Sequence, residues 1–210
     1  MPDFSIWAMQ KHSAWRAMRG CRPGPISASW HRTVGQSAGI WLQTARLRLR
    51  PLTLADEAGV IAGLNDPEIA CWLATTPFPY PAAAFRKYVA TSSEGETFAI
   101  YDDAGFAGLI GGGAELGFWV ARRAQGCGYA LEAAIGLLHA VFEFYAGPVR
   151  SGYFVGNAPS AKVLTRLGFT NAGQSLKLCR ALGQDMPHVD LVLTRAAFHV
   201  LHPPRITPGA

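Results

Sequence analysis

The residue types and spacing with the clearest chemical meaning lie at Arg123-Ala124-Gln125-Gly126-Cys127-Gly128-Tyr129-Ala130. Where a glycine-containing loop opens a helix, backbone N–H groups without intrahelical partners point into one small volume, and the helix dipole adds partial positive charge there. Gly126 and Gly128 permit positive φ and let a ligand approach the main chain closely. Arg123 adds a full positive charge. An anion the size of a diphosphate fits this pattern. The loop is not of the Walker type, because no Gly-Lys-Ser or Gly-Lys-Thr follows, nor a dinucleotide fingerprint, because Leu131 stands where a small residue is needed. What remains is Arg-x-x-Gly-x-Gly, a spacing that also serves as a plain tight turn.

Flanking elements must hold the loop in place. Residues 115–120 read as a strand entering it. On the far side Leu131, Ala134, Ile135, Leu138, Val141, Phe142 and Tyr145 recur at steps of three and four, the apolar stripe of a helix that packs on a sheet. After Gly147-Pro148 comes a strand at residues 149–155, and Asn157-Ala158-Pro159-Ser160 opens a second helix that stops at Gly168-Phe169. Pro159 suits a first helical turn and Gly168 a left-handed cap. Period two places Glu115 on one strand face with Gly117 and Trp119, and Leu116, Phe118 and Val120 on the other.

These residues, in this order, resemble the GNAT family of N-acetyltransferases, and within it the branch of ribosomal-protein N-terminal acetyltransferases typified by RimJ and RimL. The landmarks are residues 44–52 (Thr-Ala-Arg-Leu-Arg-Leu-Arg-Pro-Leu), Glu115-Leu116-Gly117-Phe118-Trp119-Val120, the loop, and Asn157-x-x-Ser160 leading to Leu167-Gly168-Phe169. The resemblance covers roughly residues 43–197. It implies a mixed α/β fold with a central, mostly antiparallel sheet of six or seven strands flanked by helices.

It also implies acetyl-coenzyme A as co-substrate, with no metal. The diphosphate falls on the amides of Gln125, Gly126, Cys127, Gly128 and Tyr129 beside Arg123, and the pantetheine arm along Phe118, Trp119 and Val120. The Val120 N–H becomes the oxyanion donor. Glu115 is the candidate base for the amine, and equally a plain surface carboxylate. Many members carry a Tyr where this chain has Leu164; in the RimJ/RimL branch a Ser takes its place, which assigns Ser160 to protonate the thiolate and Asn157 to hold the cofactor or a water. Both residues also suit helix capping. His188 and Asp190 alternate on one face of the last strand, where the acceptor groove of the family is often lined, though such residues are often inert. Cys127 reads as a small loop residue rather than a nucleophile.

The implied activity is acetyl transfer to a primary amine, either a protein N-terminus or a small molecule. The alternative is a non-catalytic sensor that binds acyl-coenzyme A, suggested by the missing Tyr at position 164. A monomer or a homodimer suits the fold.

With 210 residues, half of them apolar, the chain can bury one sizeable core. Its longest apolar runs are too short for a membrane span. Of the net charge of +5, four units fall within residues 1–44, where Lys11, Arg16, Arg19, Arg22 and Arg32 face Asp3 alone. The rest is nearly neutral, which argues against a nucleic-acid-binding surface on the folded part. The four cysteines, Cys21, Cys71, Cys127 and Cys179, form no Cys-x-x-Cys pair, so neither a metal site nor a disulfide framework is indicated. A soluble cytoplasmic protein is expected. Residues 1–42, with Trp7, Trp15, Trp30 and Trp41 but no sustained period, read as a poorly ordered extension, 43–197 as the domain and 198–210 as a tail.

Elsewhere, residues 45–52 alternate as a half-buried strand and Thr53 caps a helix reaching Leu64. Asp66-Pro67 starts a short helix, and another spans residues 82–90. Residues 97–101 and 106–110 form a hairpin about Asp102-Asp103-Ala104-Gly105, and 175–180 and 189–194 a second about Gly183-Gln184-Asp185.

Overall fold

In the computed structural model, residues 42–92 and 96–203 are described. The extension expected over residues 1–42 lies, but for Leu42, outside them. Strands β1 (Leu42–Gln43), β2 (Arg48–Pro51), β3 (Thr97–Asp102), β4 (Gly105–Gly111) and β5 (Gly117–Val120) form an antiparallel five-stranded sheet in sequential order. Strands β6 (Val149–Phe154), β7 (Thr170–Cys179) and β8 (Gln184–Leu193) form a second antiparallel sheet with β8 in the middle. Six helices accompany them among the described residues: α1 (Glu57–Leu64), α2 (Pro67–Ala70), α3 (Ala82–Thr91), α4 (Tyr129–Phe144), α5 (Ala158–Leu167) and α6 (Arg195–Leu201). The expected mixed, mostly antiparallel sheet is thus present as two halves.

Period-two alternation sets the layers. Phe98, Ile100, Ile110, Leu116 and, across the second sheet, Val149, Leu191 and Leu193 bury themselves with Ala133, Ala134, Leu137, Leu138, Val141 and Phe142 of α4 and Leu164 and Leu167 of α5. The other face of the first sheet presents Ala99, Leu109, Tyr101 and Trp119 to Val60 and Leu64 of α1 and Phe85 of α3. Each fully buried large apolar side chain here contributes roughly 1.5–3 kcal/mol.

Local chemistry sets the element ends. Before α1, the Thr53 N–H donates to Asp56 Oδ2 (2.9 Å), and Arg50 and Tyr101 close a network on the same buried carboxylate. Asp66 accepts from the Glu68 N–H at the start of α2, and Asn157 from the Ser160 N–H at the start of α5. Gly168 ends α5 with φ +94°, a conformation that costs glycine nothing.

One helix face and several boundaries differ from the sequence reading. The strand at residues 115–120 begins only at Gly117, since Glu115 makes an isolated parallel bridge to Arg150 of the other sheet. The buried face of α4 is wider than one stripe: α4 touches β1, β4, β5 and α5, so Ala133, Leu137 and Ala140 are buried while Leu131, Ile135 and Tyr145 are half-buried. The last hairpin is longer, with strands of ten residues each turning at residues 180–183. The boundary at 197 falls inside α6, which places fully buried Phe198 in the main core.

Candidate active site

Among the described residues, hydrogen bonds join the two sheets at one place. The Leu116 N–H donates to Arg150 O (2.8 Å), the Arg150 N–H to Ala114 O (2.8 Å), and the Ser151 hydroxyl to Leu116 O (2.9 Å). Beyond that junction β5 pairs only with β4 and β6 only with β8. A cleft therefore opens between β5 and β6. Strand alternation decides which backbone groups face it. The Ala121 N–H turns to Ala107 O of the β4 side, and the Leu116 N–H to β6, so Phe118 and Val120 also direct their N–H and C=O groups into the cleft. The Phe118 and Val120 side chains pack on the α4 side, whereas Trp119 crosses to α1, where Gly63 leaves room for its ring. Of the strand residues read as cofactor-binding, Phe118 and Val120 thus offer backbone, and Trp119 serves packing. Gln125 Nε2 donates to Val120 O at 3.1 Å, so that carbonyl already has a partner in the loop.

At the mouth of the cleft stands the glycine loop. A single 3-10 turn at Arg122–Ala124 leads into exposed Gln125, Gly126, Cys127 and Gly128. Gly126 and Gly128 have φ +76° and +80°. A Cβ added at Gly126 would meet nothing within 4 Å, so the loop leaves open space above the main chain. Gly128 is the N-cap of α4 and has no side chain to cap it, while the Glu132 N–H is the first to bond backward, to Gly128 O. The amides of Gly128, Tyr129, Ala130 and Leu131 consequently have no intrahelical partner. This donor set, with sixteen residues of α4 aligned behind it, suits a diphosphate.

Arg123 is arranged differently from the sequence reading. Its Nη1 and Nη2 each donate to an Asp102 carboxylate oxygen at 2.9 Å, and Nε and Nη2 reach Phe106 O at 3.2 and 2.7 Å. It pins the loop to the β3–β4 hairpin. The guanidinium hydrogen bonds hold the Asp102 carboxyl below its usual range although burial works the other way.

A second cation was not singled out by sequence. The Arg46 side chain lies over the Tyr129 ring (4.9 Å to its centroid) and ion-pairs with Glu132, which also accepts from the Thr44 hydroxyl and the Arg46 N–H. Burial opposes the Glu132 charge, but those hydrogen bonds outweigh it and keep the carboxyl below its usual range. Only contact across 86 residues reveals this clamp; the Arg-Leu-Arg alternation of β2 gave no hint of it.

Ser160 lies in the first turn of α5, half-buried, its N–H bonded to Asn157 Oδ1 at 3.2 Å. Asn157 is therefore a cap in the structure, and the Ser160 hydroxyl has no hydrogen-bond partner among the described residues. Leu164, one turn on, is fully buried. Glu115 is exposed and, through its bridge to Arg150, shares a face with Gly152 and His188 across β6 and β8. That face is opposite to α4 and α5, and segment 71–75 partly roofs it: Cys71 O and Ala74 O accept from Cys179 Sγ and the Arg180 N–H, and Trp72 lies against Gly156. Among the described residues no helix is long and apolar enough to cross a membrane.

Known proteins share this architecture. A GNAT-family acetyltransferase from Bacillus anthracis aligns at TM-score 0.63 with 18% identity, over 74% of this chain and 98% of its own. The ribosomal-protein-S5-alanine acetyltransferase from Vibrio fischeri aligns at TM-score 0.63 with 15% identity, over 76% and 99%. Mycobacterium smegmatis RimJ, solved in complex with CoA-disulfide, aligns at TM-score 0.60 with 22% identity, over 77% and 91%. No curated protein sequence matches the chain. The family described as "Acetyltransferase (GNAT) domain" matches residues 46–170, from the Arg46 clamp to the first residue of β7. With well over half its length inside that match, the chain belongs to the GNAT acetyltransferase family.

Proposed function

We propose that this protein transfers an acetyl group from acetyl-coenzyme A to a primary amine. The observation that carries the reading is the cleft between β5 and β6, closed at Leu116 and Arg150, with the uncapped amides of α4 at its mouth. A diphosphate on residues 125–129 leaves an extended pantetheine to run along the free edge of Phe118 and Val120 toward the junction. Bound there, the thioester supplies an activated acyl carbon. Family membership and the CoA-bound RimJ neighbour support this choice of co-substrate.

The remaining tasks fall to this chain's own groups. The Val120 N–H stabilises the developing oxyanion. The Ser160 hydroxyl donates a proton to the departing thiolate, and Asn157 fixes the turn that carries it. Glu115, exposed on the face opposite to α4, draws the ammonium of the acceptor toward the cleft. Because RimL and the Vibrio fischeri protein are by name ribosomal-protein acetyltransferases, protein N-termini head the acceptor screen, with small amines beside them.

The test is calorimetric titration of acetyl-coenzyme A into the full chain, with coenzyme A lacking its 3′-phosphate for comparison, followed by thiol release against peptides and small amines. Binding with thiol release supports the reading. Binding without release against any amine reduces the protein to an acyl-coenzyme A sensor, and absence of binding removes the co-substrate.

A further inference from the structure

One titratable side chain on the sheet face opposite to α4 and α5 has no task in that scheme. His188 lies on β8, only 7% exposed, with Nδ1 3.0 Å from Asp190 Oδ1. Asp190 in turn meets Lys177 Nζ of β7 at 3.1 Å. A carboxylate oxygen only accepts, so Nδ1 carries the proton and Nε2 presents a lone pair. No described residue hydrogen-bonds Nε2.

The direction of the ring gives this lone pair a use. In the β6–β8 register Phe154 is opposite His188, and Gly152 opposite Asp190. The imidazole stands edge-on to Phe154, centroids 5.5 Å apart at 85°, and leans diagonally across Gly152. A Cβ at Gly152 would collide with Cε1 and lie 2.8 Å from Nε2. The missing side chain is what lets the ring lie across β6, the strand that walls the cleft. Arg150, bridged to Glu115, is two residues along the same face, about 7 Å away.

We propose that His188 Nε2 is the base that takes the proton of the attacking amine, with Asp190 fixing its tautomer and Lys177 positioning Asp190. The proposal rests on the acetyl-transfer reading above. The acceptor ammonium first gives one proton to water; as the neutral amine nitrogen then forms its bond to the acyl carbon, its second proton passes to Nε2. The carbon–sulfur bond breaks with its electron pair on sulfur, which takes the Ser160 proton. The imidazolium then gives its proton to water, and Ser160 regains one from water.

The charges facing the ring agree. Burial pushes the imidazole below its ordinary value and the Lys177 ammonium adds to this, while Asp190 works in the opposite sense. From β7, Ser175 lies opposite His188; from β6, Gly152 and Phe154 carry no charge; Glu115 and Arg150 stand further along. The net result is a neutral ring, ready to accept, at neutral pH. Glu115 is exposed and, among the described residues, no hydrogen-bond partner orients it in this way.

The experiment measures thiol release by the full chain across pH for the wild type, His188→Gln, Asp190→Asn and Glu115→Gln, with acetyl-coenzyme A affinity measured in parallel. Wild-type kcat should fall on the acid side through a limb below pH 6.5, the ordinary histidine value. His188→Gln should lose that limb and at least about 100-fold in kcat, with cofactor affinity unchanged. Unchanged kcat in His188→Gln overturns the proposal, as does a limb that survives there and vanishes in Glu115→Gln. If His188→Gln does not fold, Asp190→Asn, at a position 34% exposed, decides: a lower kcat with the limb moved to more acid pH supports the proposal, and an unaltered profile overturns it. A wild type that binds acetyl-coenzyme A but acetylates no amine removes the parent reading, and this one with it.

Discussion

Arg123 meets Asp102 through two parallel N–H···O bonds of 2.9 Å, so the arginine that marks the glycine loop in sequence is committed to a hairpin carboxylate. The two possible roles of Arg123 predict opposite results. If it anchors the loop, Asp102→Asn loosens the amide cradle and weakens acetyl-coenzyme A binding; if it is a phosphate cation held in reserve, the same change frees it and tightens binding. The first outcome is expected, with a loss of stability of about 1–2 kcal/mol because Arg123 is partly solvated. Calorimetry and urea denaturation measure both.

The same pair gives a pH dependence. The folded-state carboxyl of Asp102 lies below its ordinary value of 3.8, chiefly through the Arg123 hydrogen bonds. Its stabilising contribution is therefore complete above that value and lost as pH falls through the lower, folded one. Urea midpoints across the acid range should show a shallower decline in Asp102→Asn than in the wild type.

Gly126 separates loop conformation from loop access. Gly126→Ala places a methyl where nothing lies within 4 Å, at φ +76°, so the cost to folding is about 1–2 kcal/mol of backbone strain without a clash. Acetyl-coenzyme A affinity should fall by far more, because the methyl occupies the approach to the amides. Equal affinity in the variant would remove the loop from cofactor binding.

At the start of α5, capping and chemistry belong to different residues. Asn157→Ala removes the side chain that accepts the Ser160 N–H and should cost about 1 kcal/mol in thermal unfolding. Ser160→Ala should leave stability unchanged and lower kcat about 100-fold with cofactor affinity intact. A Ser160→Ala enzyme of normal kcat would return Ser160 to a helix-turn role.

Phe198 sets the C-terminal limit of the fold. It is fully buried against His139 and Phe142 of α4, at centroid distances of 4.9 and 5.5 Å. Phe198→Ala should cost about 3–5 kcal/mol, read from the denaturation midpoint. A chain ending at residue 197 should be destabilised at least as much.

The sequence made the local features legible and missed those that depend on distant contact. Thr53, Asp66, Pro159 and Gly168 work through neighbours a few residues away, so their caps and stops could be read directly. The glycine pair was legible because positive φ is a property of glycine itself. The partner of Arg123 was not, since the choice between a phosphate and Asp102 is made by the β3–β4 hairpin folding back to the loop. Nothing in the sequence marks Glu132, because its donors come from the turn at residues 44–47. His188 and Asp190 were visible as alternating polar residues, but only strand pairing shows that Gly152 clears space for the ring. The end of α6 was missed because a seven-residue helix with one core side chain leaves too short a period to detect.

The narrow seam between Leu116 and Arg150 also bears on cooperativity. Away from it, the two sheets share a core on the α4 side, whereas on the other side segment 71–75 touches Cys179 and Arg180 at the end of β7 and Gly156 just past β6. In the empty protein, amide hydrogens of β6, β7 and β8 should therefore exchange as a block separate from those of β1 to β5. If acetyl-coenzyme A lies along the free edge of β5 as proposed, it fills the gap as a transient strand, and the two blocks should then open as one, with the melting temperature rising with the logarithm of free ligand above its Kd, even after the site is full.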